Sequence, residues 1–435
     1  MRYHFIGIGG IGISGLAKYM HFRGHEVSGS DVKESVITKK LESEGLHVSI
    51  PQVAENITNQ ERVIHSAIIR GNNPEVLAAK AKGIEVIARR EALLEILHDS
   101  KVYAVAGAHG KSTTSAILSS IMHGSAIIGA ESKEFGSNVR YCDESDILIF
   151  EADESDGSFL NSNPYCAIVT NAEPEHMEYY NYDEALFYNS YREFIQKAPW
   201  RVINAEDPFL ATLEGDATRL YPSQDIQNIE YILRDDEPYT RFEFRDYGVF
   251  EVWGFGEHIA LDAALAILAA EKSMNIERIR ENIVNYKGIK KRFDIIACDE
   301  NCVIIDDYGH HPTEIKATMQ SVKAYAKLKN IETITAIWQP HKYSRTIDNL
   351  EAFVACFEGA DTLIILPVWA ASEEERFIDF EKEFAAYKLI MADLLHGHDN
   401  MLDVIKDDTI IKTLDRGLIV GFGAGDITYQ IRGTQ

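Results

Sequence analysis

The feature that most constrains the fold is a series of short apolar runs, most of which lead into a segment with helical periodicity. Each run is long enough for one buried strand, and a strand followed by a helix is the repeating unit of a parallel sheet with helices on both faces. We predict strands over residues 3–8, 63–67, 102–106, 147–151, 167–171, 303–306, 333–338, 362–367 and 418–421. The sequence therefore predicts an α/β protein with mostly parallel sheets.

The length indicates several domains. At roughly 150 residues per domain, a chain of 435 residues suggests about three. A predicted helix over residues 89–97 is followed by a short link and a new strand, and a helix around 276–284 precedes another strand-rich stretch. We therefore predict domains over residues 1–98, 99–290 and 291–435, each of ordinary size.

Charge and cysteine content exclude several classes of protein. The formal net charge is −25, whereas broad binding to nucleic acid or anionic membranes needs a basic surface. The five cysteines are scattered without a C-x-x-C pair, which indicates free thiols and a reducing compartment, the cytoplasm. No stretch reaches the roughly 18 apolar residues of a membrane span. We expect no nucleic acid or membrane partner, and a monomer or a homodimer.

The first glycine-rich loop is GIGGIG, residues 7–12, between a predicted strand and a helix around 13–22. Its glycines let the backbone turn sharply and approach a phosphate at the helix N-terminus. Asp31 ends the next strand, where a ribose-binding acid is found in dinucleotide-binding proteins. Taken alone, the loop indicates an NAD-dependent oxidoreductase, and a glycine-rich turn without a ligand is the alternative.

The second loop, GAHGKSTT at residues 107–114, argues against an oxidoreductase. It follows a strand, opens the next helix and resembles a P-loop, although Val105 occupies the place of the first glycine in that pattern. Backbone N–H groups would surround the phosphates, Lys111 would neutralise the β- and γ-phosphate charge, and the Ser112 hydroxyl would bind Mg²⁺. A chance G-K-S at a helix start is the alternative.

Acids and a histidine follow the next two strands. The strand 147–151 ends in EADES, which places Glu151 at the ligand-binding edge of a parallel sheet, where it can share a Mg²⁺ ion with Ser112. His176 in the EPEHMEYY segment is a candidate second ligand for Mg²⁺. The alternatives are a solvated acidic loop and a structural histidine.

Two strand ends in the C-terminal segment also carry polar clusters. The strand 303–306 leads into two acids and two histidines, Asp306, Asp307, His310 and His311. We do not predict zinc there, because no further ligand stands at a suitable spacing. After the strand 333–338, Lys342 and Arg345 are placed to meet a phosphate or a carboxylate, with a solvated basic turn as the alternative.

Together, these motifs resemble the Mur ligase family over nearly the whole chain. The matching segments are GIGGIGISGLA, SAI with NNPE, GAHGKSTT, EADESDGSFL, TNAEPEHM, GIKKRFD, DDYGHHPTEI, QPHKYSRT and GAGDI. Many motifs in one order are more specific than any single motif. The resemblance implies a Rossmann-like UDP-sugar-binding domain, a central P-loop ATPase domain and a C-terminal Rossmann-like domain that binds the amino acid.

The resemblance also implies an activity. The EADESDGSF and DDYGHHP segments look like those of family members that join L-alanine to the lactyl carboxylate of UDP-N-acetylmuramate in peptidoglycan synthesis, with ATP and Mg²⁺. ATP would phosphorylate the carboxylate, and the amine would attack the acyl phosphate, leaving ADP and phosphate. A ligase that reattaches murein tripeptide is the alternative within the family. A P-loop NTPase that acts only as a binding module is the alternative from another class.

Motifs and resemblance together assign the candidate residues. For ATP they indicate Gly107, His109, Gly110, Lys111, Ser112, Thr113, His258, Asp262, Arg292 and Asp307. For the UDP-sugar they indicate Gly9, Gly10, Ile11, Gly12, Asp31 and Ser66. Mg²⁺ would be held by Ser112, Glu151 and His176. The catalytic candidates are Lys111, His176, His310 and Arg345, with His310 orienting or deprotonating the amine.

Four positions depart from the family pattern. The GxHNxxNA segment beside the adenine reads GEHIALDA here, so Ile259 and Asp262 replace two asparagines; Lys342 stands in place of arginine and Glu175 in place of aspartate. An ionised Asp262 would accept a hydrogen bond from adenine N6 and repel guanine O6, so we expect it to discriminate against GTP. The alternative is that Asp262 faces solvent at a helix start.

Overall fold

The computed structural model describes residues 1–434. The chain forms two compact units. The first comprises residues 1–229, 242–252 and 260–287, and the second comprises residues 230–241, 253–259 and the segment from residue 288 onward.

The N-terminal sheet has five parallel strands in the order β3-β2-β1-β4-β5. The strands are β1 (Arg2–Ile6), β2 (Glu26–Ser30), β3 (His47–Ser49), β4 (Arg62–His65) and β5 (Glu85–Ala88). The helices are α1 (Ile11–Phe22), α2 (Val36–Ser43), α3 (Pro74–Ala81) and α4 (Arg89–Ile96). The chain leaves β1 toward one side of the sheet and later returns to β4 on the other, so the loop after β1 lies at a topological switch point, where ligands bind.

The second sheet has seven strands in the order β12-β11-β10-β6-β9-β7-β8. Its neighbouring strands run parallel except for the antiparallel pair β7–β8. The strands are β6 (Lys101–Ala106), β7 (Ser125–Ser132), β8 (Ser137–Arg140), β9 (Ile147–Glu151), β10 (Pro164–Val169), β11 (Trp200–Asn204) and β12 (Thr218–Leu220). Strand β6 is central and buried beyond its first residue, as a continuous apolar run requires.

Helices α5 (Lys111–Ile121) and α6 (Glu184–Lys197) accompany this sheet. Helix α6 begins after Asp183, whose side chain accepts hydrogen bonds from the N–H groups of Ala185 and Leu186 and so caps the helix. The chain continues through α7 (Pro222–Asp225), the three-stranded sheet β13 (Ile226–Arg234), β14 (Glu237–Phe244) and β15 (Gly248–Trp253), and helices α8 (Glu257–Ala270) and α9 (Ile276–Ile283).

The C-terminal sheet has six strands in the order β16-β17-β24-β18-β19-β20, parallel except for β16. The bounds are β16 (Asp294–Cys298), β17 (Cys302–Asp307), β18 (Ile334–Trp338), β19 (Thr362–Ile365) and β20 (Leu389–Met391). A separate antiparallel sheet, β21 (Leu394–His398), β22 (Met401–Lys406) and β23 (Thr409–Leu414), precedes β24 (Gly417–Phe422). The helices are α10 (Pro312–Lys329), α11 (Tyr343–Asp348), α12 (Leu350–Cys356), α13 (Phe380–Glu383) and α14 (Ile427–Ile431).

Every apolar run that we predicted to be a strand overlaps a strand of the structure, although the ends differ. The run 167–171, for example, overlaps β10, Pro164–Val169. Some of the strands that we missed, such as β7 and β20, are short apolar runs, whereas others mix polar and apolar residues. In β14, buried and exposed residues alternate along much of the strand, since only one of its faces is covered. The five cysteines are free, as expected. Within residues 1–434, no helix combines the length and the apolar character that a membrane crossing requires.

Candidate active site

The loop after β1 has a turn that only glycine fits easily. Gly7 has a φ of 79°, and a Cβ atom there would lie 2.8 Å from the Ser66 hydroxyl oxygen. That Ser66 oxygen is buried and has no hydrogen-bond partner. An unpaired buried hydroxyl is costly, so Ser66 is ready to bond a ligand in this loop. Gly10 and Ile11 are exposed at the tip of the same loop.

Asp31 at the end of β2 holds this loop. Its Oδ2 accepts a hydrogen bond from the Gly9 N–H at 2.8 Å, and its Oδ1 accepts one from the Val32 N–H at 2.7 Å. Both carboxylate oxygens therefore already bond the backbone, which shapes the glycine loop. A bond from Asp31 to a ribose stays a prediction, since each oxygen has further lone-pair capacity.

Arg89, which the sequence reasoning did not single out, approaches the first turn of α1. A Cβ atom at Gly12 would lie 2.7 Å from Arg89 Nη1. Arg89 Nη2 also donates to Asp156 Oδ2 and to the Ser158 hydroxyl, each at 2.9 Å. One guanidinium thus connects the first glycine loop with the acidic segment after β9.

The loop after β6 surrounds a half-buried lysine. Gly110 has a φ of 82° and is followed directly by α5, whose first residue is Lys111. The Lys111 ammonium donates to the carbonyl oxygens of Gly107 and Ala108 and to Glu154 Oε1, the last at 3.1 Å. Burial would lower the pKa of Lys111, but the Glu154 and Glu151 carboxylates outweigh it and raise that pKa. Lys111 is therefore a permanently charged group at the helix N-terminus.

Glu154 is the second residue that sequence reasoning missed. Its side chain is 1% exposed, and its backbone carbonyl accepts a hydrogen bond from the Tyr180 hydroxyl at 2.6 Å. Burial raises the pKa of the Glu154 carboxyl, and the adjacent Lys111 opposes that rise. The signal was present in the EADES segment, but which of its acids faces the lysine depends on the path of the loop.

Ser112 and Glu151 come together as predicted. The Ser112 hydroxyl donates to Glu151 Oε1 at 2.9 Å, and the Gly129 N–H donates to Glu151 Oε2 at 2.6 Å. Burial raises the pKa of Glu151, while Lys111 opposes the rise. A hydroxyl oxygen and a carboxylate at this distance form an oxygen ligand set of the kind that Mg²⁺ takes.

His176 is exposed, in the left-handed conformation with φ 52°. The structure within residues 1–434 records no hydrogen bond or ion pair between its ring and Ser112 or Glu151, so its role as a metal ligand stays a prediction. His109 in the P-loop instead lies close to the acids of the same segment, with Nε2 3.3 Å from Glu173 Oε2. The His109 N–H donates to Asn171 Oδ1 at 3.1 Å, which fixes the loop after β6 to the end of β10. Thr113 lies half-buried in the first turn of α5.

Asp262 in α8 lies against the P-loop. It is 3% exposed, and a Cβ atom at Gly110 would be 2.5 Å from its Oδ1. Burial raises the pKa of Asp262 well above its usual value, with the Thr114 hydroxyl opposing the rise. The solvent-facing alternative is wrong. A raised pKa favours the protonated form of this carboxyl, which can donate as well as accept a hydrogen bond, and its contact with the adenine base stays a prediction.

In the second unit, a cluster lies at the carboxyl ends of β17 and β18. Glu314 near the start of α10 accepts hydrogen bonds from Arg292 Nη1 and the His310 N–H, each at 3.0 Å, and from the His311 N–H at 3.2 Å. Arg345 Nη1 lies 3.1 Å from His341 Nδ1, and the rings of His341 and His310 are 5.8 Å apart. Glu314 was not singled out from the sequence, although its place at the third position of a helix is typical of a capping box.

Asp307 and His258, both in the second unit, differ in exposure and in their hydrogen bonds. Asp307 is 2% exposed, and its carboxylate accepts hydrogen bonds from the N–H groups of Phe293 and Gly309 at 2.8 Å and 2.7 Å. Both carboxylate oxygens of Asp307 therefore already bond the backbone. His258, at the start of α8, is exposed. Contact of either residue with ATP stays a prediction.

The histidine His310 is uncharged at neutral pH. Burial lowers the pKa of His310 to about 4; Glu314 opposes this effect and Arg345 adds to it. The ring Nδ1 lies 3.2 Å from the Tyr308 carbonyl oxygen, so Nδ1 carries the proton if it donates there, and Nε2 then accepts. A ring with so low a pKa is a poor base at neutral pH but a good hydrogen-bond acceptor.

Three family models match successive parts of the chain: the Mur ligase family catalytic domain over residues 2–101, the Mur ligase middle domain over 105–269, and the Mur ligase glutamate ligase domain over 291–417. The chain is 53% identical over 432 residues to a UDP-N-acetylmuramate–L-alanine ligase of Campylobacter curvus, covering 99% of both chains. It is 52% identical over 435 residues to the ligase of the same name from Helicobacter pylori strain P12, covering 99% of this chain and 96% of that relative.

Solved structures show the same fold. A UDP-N-acetylmuramate–alanine ligase of Thermotoga maritima superposes with a TM-score of 0.81 at 22% identity, over 99% of this chain and 97% of that one. A murein peptide ligase of Psychrobacter arcticus superposes with a TM-score of 0.64 at 20% identity, over 98% and 96%. The fold class predicted from the sequence, α/β with mostly parallel sheets, is confirmed.

Proposed function

Because the chain belongs to the Mur ligase family, as its motifs predicted, we propose that it is an ATP-dependent ligase that joins L-alanine to the lactyl carboxylate of UDP-N-acetylmuramate. The observation that carries this proposal is 53% identity to a ligase of that name over 99% of both chains. The products are ADP, phosphate and UDP-N-acetylmuramoyl-L-alanine, a peptidoglycan precursor. We place the reaction in the cytoplasm, and we assign the UDP-sugar, ATP and amino acid to residues 1–98, 99–290 and 291–435.

The residues of the P-loop fit ATP and Mg²⁺. The loop opens a helix, so its free N–H groups point toward the phosphate position, and Lys111 brings a full positive charge to the same place. Ser112 and Glu151, already 2.9 Å apart, would hold the ion, with His176 as a further candidate. A bound Mg²⁺ ion neutralises charge on the β- and γ-phosphates.

Phosphoryl transfer makes the carboxylate reactive. A carboxylate resists attack by an amine because its leaving group would be oxide, whereas an acyl phosphate releases phosphate. Lys111 has three donors, which in this structure bond the Gly107 and Ala108 carbonyls and Glu154. To stabilise the transferring phosphoryl group, the ammonium must exchange at least one of them for a phosphate oxygen. Glu154 keeps the ammonium charged and directed during this exchange.

The cluster of the second unit suits the amino acid. The Arg345 guanidinium is a partner for the alanine carboxylate, since arginine binds carboxylates in a bidentate way. The uncharged His310 can accept a hydrogen bond from the alanine amine, which directs the nitrogen lone pair. The low pKa of His310 favours orienting over deprotonating, the two roles considered from the sequence.

The test is phosphate release from ATP by the full chain, with UDP-N-acetylmuramate and each amino acid supplied separately. We expect release only when UDP-N-acetylmuramate and L-alanine are both present, with glycine and L-serine as the comparison for selectivity. Equal release with ATP alone would favour the NTPase alternative. Release with the murein tripeptide in place of L-alanine would favour the recycling ligase.

A further inference from the structure

The antiparallel sheet β21–β23 carries a cluster that the ligase reaction does not use. It consists of His396, His398 and Asp403, and one ligand atom from each lies within 4.8 Å of the others. We propose that these three side chains form a binding site for a divalent transition-metal ion of the Zn²⁺ type. Two imidazoles and a carboxylate are a ligand set for such ions rather than for Mg²⁺ or Ca²⁺, which prefer oxygen.

The backbone places the three side chains on one face. His396 and His398 are two residues apart on β21, so both point to the same side of the sheet. Asp403 on β22 stands directly opposite His396 in the antiparallel register. The strands are joined by Asp399 and Asn400, with φ of 44° and 60°, and a two-residue turn of this kind fixes the register. The spacing is therefore set by the backbone and not by flexible side chains alone.

The other face of the sheet is packed, so the cluster cannot turn inward. Leu395, Leu402 and Val404 belong to a buried core. Gly397, between the two histidines, lies so close to the Ile431 carbonyl of α14 that a Cβ atom would clash with it. The histidines consequently remain on the outer face, where His396 is exposed and the His398 side chain is 34% exposed. Water can fill the coordination positions that the protein leaves open.

The distances suit a small ion. His398 Nε2 lies 2.9 Å from Asp403 Oδ2. Two ligands bound tetrahedrally at about 2.0–2.1 Å stand about 3.3 Å apart, so an ion needs only a small movement of this pair. The Thr413 hydroxyl donates to Asp403 Oδ1 at 2.6 Å, so the other oxygen, Oδ2, is the one that faces His398. A hydrogen bond that orients a ligand carboxylate in this way is typical of metal sites.

A simple ion pair between His398 and Asp403 is the competing explanation. It does not use His396, which nevertheless stands opposite Asp403 with a ligand atom directed toward the same place. An ion bound by all three residues would connect β21 to β22 on the outer face. We expect it to stabilise this sheet and to take no part in ligation, because the proposed reaction assigns no role to these three residues.

Zn²⁺ titration of the metal-free full-length chain tests the site. We expect the wild type to bind one equivalent of Zn²⁺ through this cluster. His396→Asn and Asp403→Asn should lose that step, with affinity about tenfold lower or worse, and Thr413→Val should weaken it by about tenfold. The melting temperature without Zn²⁺ shows whether each variant is folded, and Co²⁺ in place of Zn²⁺ gives a visible spectrum that should disappear in His396→Asn.

His123, a histidine outside this cluster, provides the matched control. His123 Nε2 lies 3.2 Å from the Cys142 sulfur, so this pair is a competing place for Zn²⁺ to bind. His123→Asn should keep the Zn²⁺ step and the Co²⁺ spectrum. The proposal fails if the folded His396→Asn variant binds Zn²⁺ as the wild type does, if His123→Asn removes the step instead, or if the wild type binds no Zn²⁺. Each result is independent of ligase activity.

Discussion

The two glycine-rich loops of the first unit have the same setting and different chemistry. Each follows a parallel strand and opens a helix. In the loop after β1, Asp31 bonds the backbone, and the buried Ser66 hydroxyl is unpaired. In the loop after β6, the first helical residue is Lys111, and Glu154 and Glu151 lie beside it. The first loop offers backbone N–H groups and a hydroxyl, with Arg89 beside its last glycine, whereas the second carries a lysine ammonium and two carboxylates, the charges that phosphoryl transfer needs.

Lys111→Ala should give the largest effect, because it removes the positive charge of the second loop. We expect kcat for ligation to fall by about 10³-fold or more. Binding of UDP-N-acetylmuramate, measured by calorimetry, should remain near the wild-type value. Lys101→Ala, at the exposed start of β6, is the control and should keep kcat. A folded Lys111→Ala protein that no longer binds the UDP-sugar would contradict the separation of the two loops.

Glu151→Gln keeps the shape of the side chain and removes its charge. The Mg²⁺ concentration for half-maximal activity should rise by about tenfold or more, since a ligand carboxylate is lost. The measurement is a Mg²⁺ titration of phosphate release, with Glu144→Gln as a control at a fully solvated acid. An unchanged Mg²⁺ titration would show that Glu151 is not a ligand.

Ser66→Ala tests the first loop. Loss of one hydrogen bond, worth about 0.5–1.5 kcal/mol, should raise the Kd for UDP-N-acetylmuramate by about two- to tenfold. The Kd for ADP, which reports on the second loop, should not change. Ser43→Ala at the exposed end of α2 is the control. If Ser66→Ala instead weakens ADP alone, the assignment of the two loops is reversed.

Asp262→Asn should have the smallest effect, and it depends on pH. The folded-state pKa of Asp262 is raised above its value in the unfolded chain. The folded protein therefore holds a proton that the unfolded chain loses, so stability falls as pH rises above the unfolded value of about 3.9. Asparagine does not titrate, so the Asp262→Asn variant does not lose this stability as pH rises. Between pH 5 and 8, the melting temperature of Asp262→Asn should exceed that of the wild type by a few degrees at most, with the larger gain at higher pH.

The same variant addresses the nucleotide base. A neutral carboxyl group both donates and accepts, as an asparagine amide does. The ratio of activity with ATP to activity with GTP should therefore be the same in Asp262→Asn and in the wild type. Exposed Asp216→Asn is the control for stability. If Asp262→Ala also keeps the ratio, Asp262 supports the P-loop and does not read the base. If the melting temperatures of Asp262→Asn and the wild type change with pH in the same way, the raised pKa of the Asp262 carboxyl is contradicted.

Continuous apolar runs were the most informative part of the sequence for the fold. A strand buried on both faces, such as β6 or β9, is apolar over most of its length, so its pattern is visible without a partner. A strand with one covered face, such as β21, has a mixed pattern that only its neighbours explain. The His396, His398 and Asp403 cluster lies on β21 and β22, and only the antiparallel register brings Asp403 opposite the histidines.

By itself, the sequence determined the α/β class, the two glycine-rich loops, the pairing of Ser112 with Glu151 and the family. The class and the loops follow from local order, because a strand, a glycine turn and a helix start are adjacent in the chain. Ser112 and Glu151 were expected to meet because the loop after β6 and the end of β9 lie at the same edge of a parallel sheet. Only the tertiary structure decided that Glu154 faces Lys111, that Arg89 reaches Gly12, and that Asp262 is buried against Gly110. These contacts join residues far apart in the chain, and burial sets their protonation. The charge of a buried acid or base therefore depends on neighbouring residues that only the tertiary structure identifies.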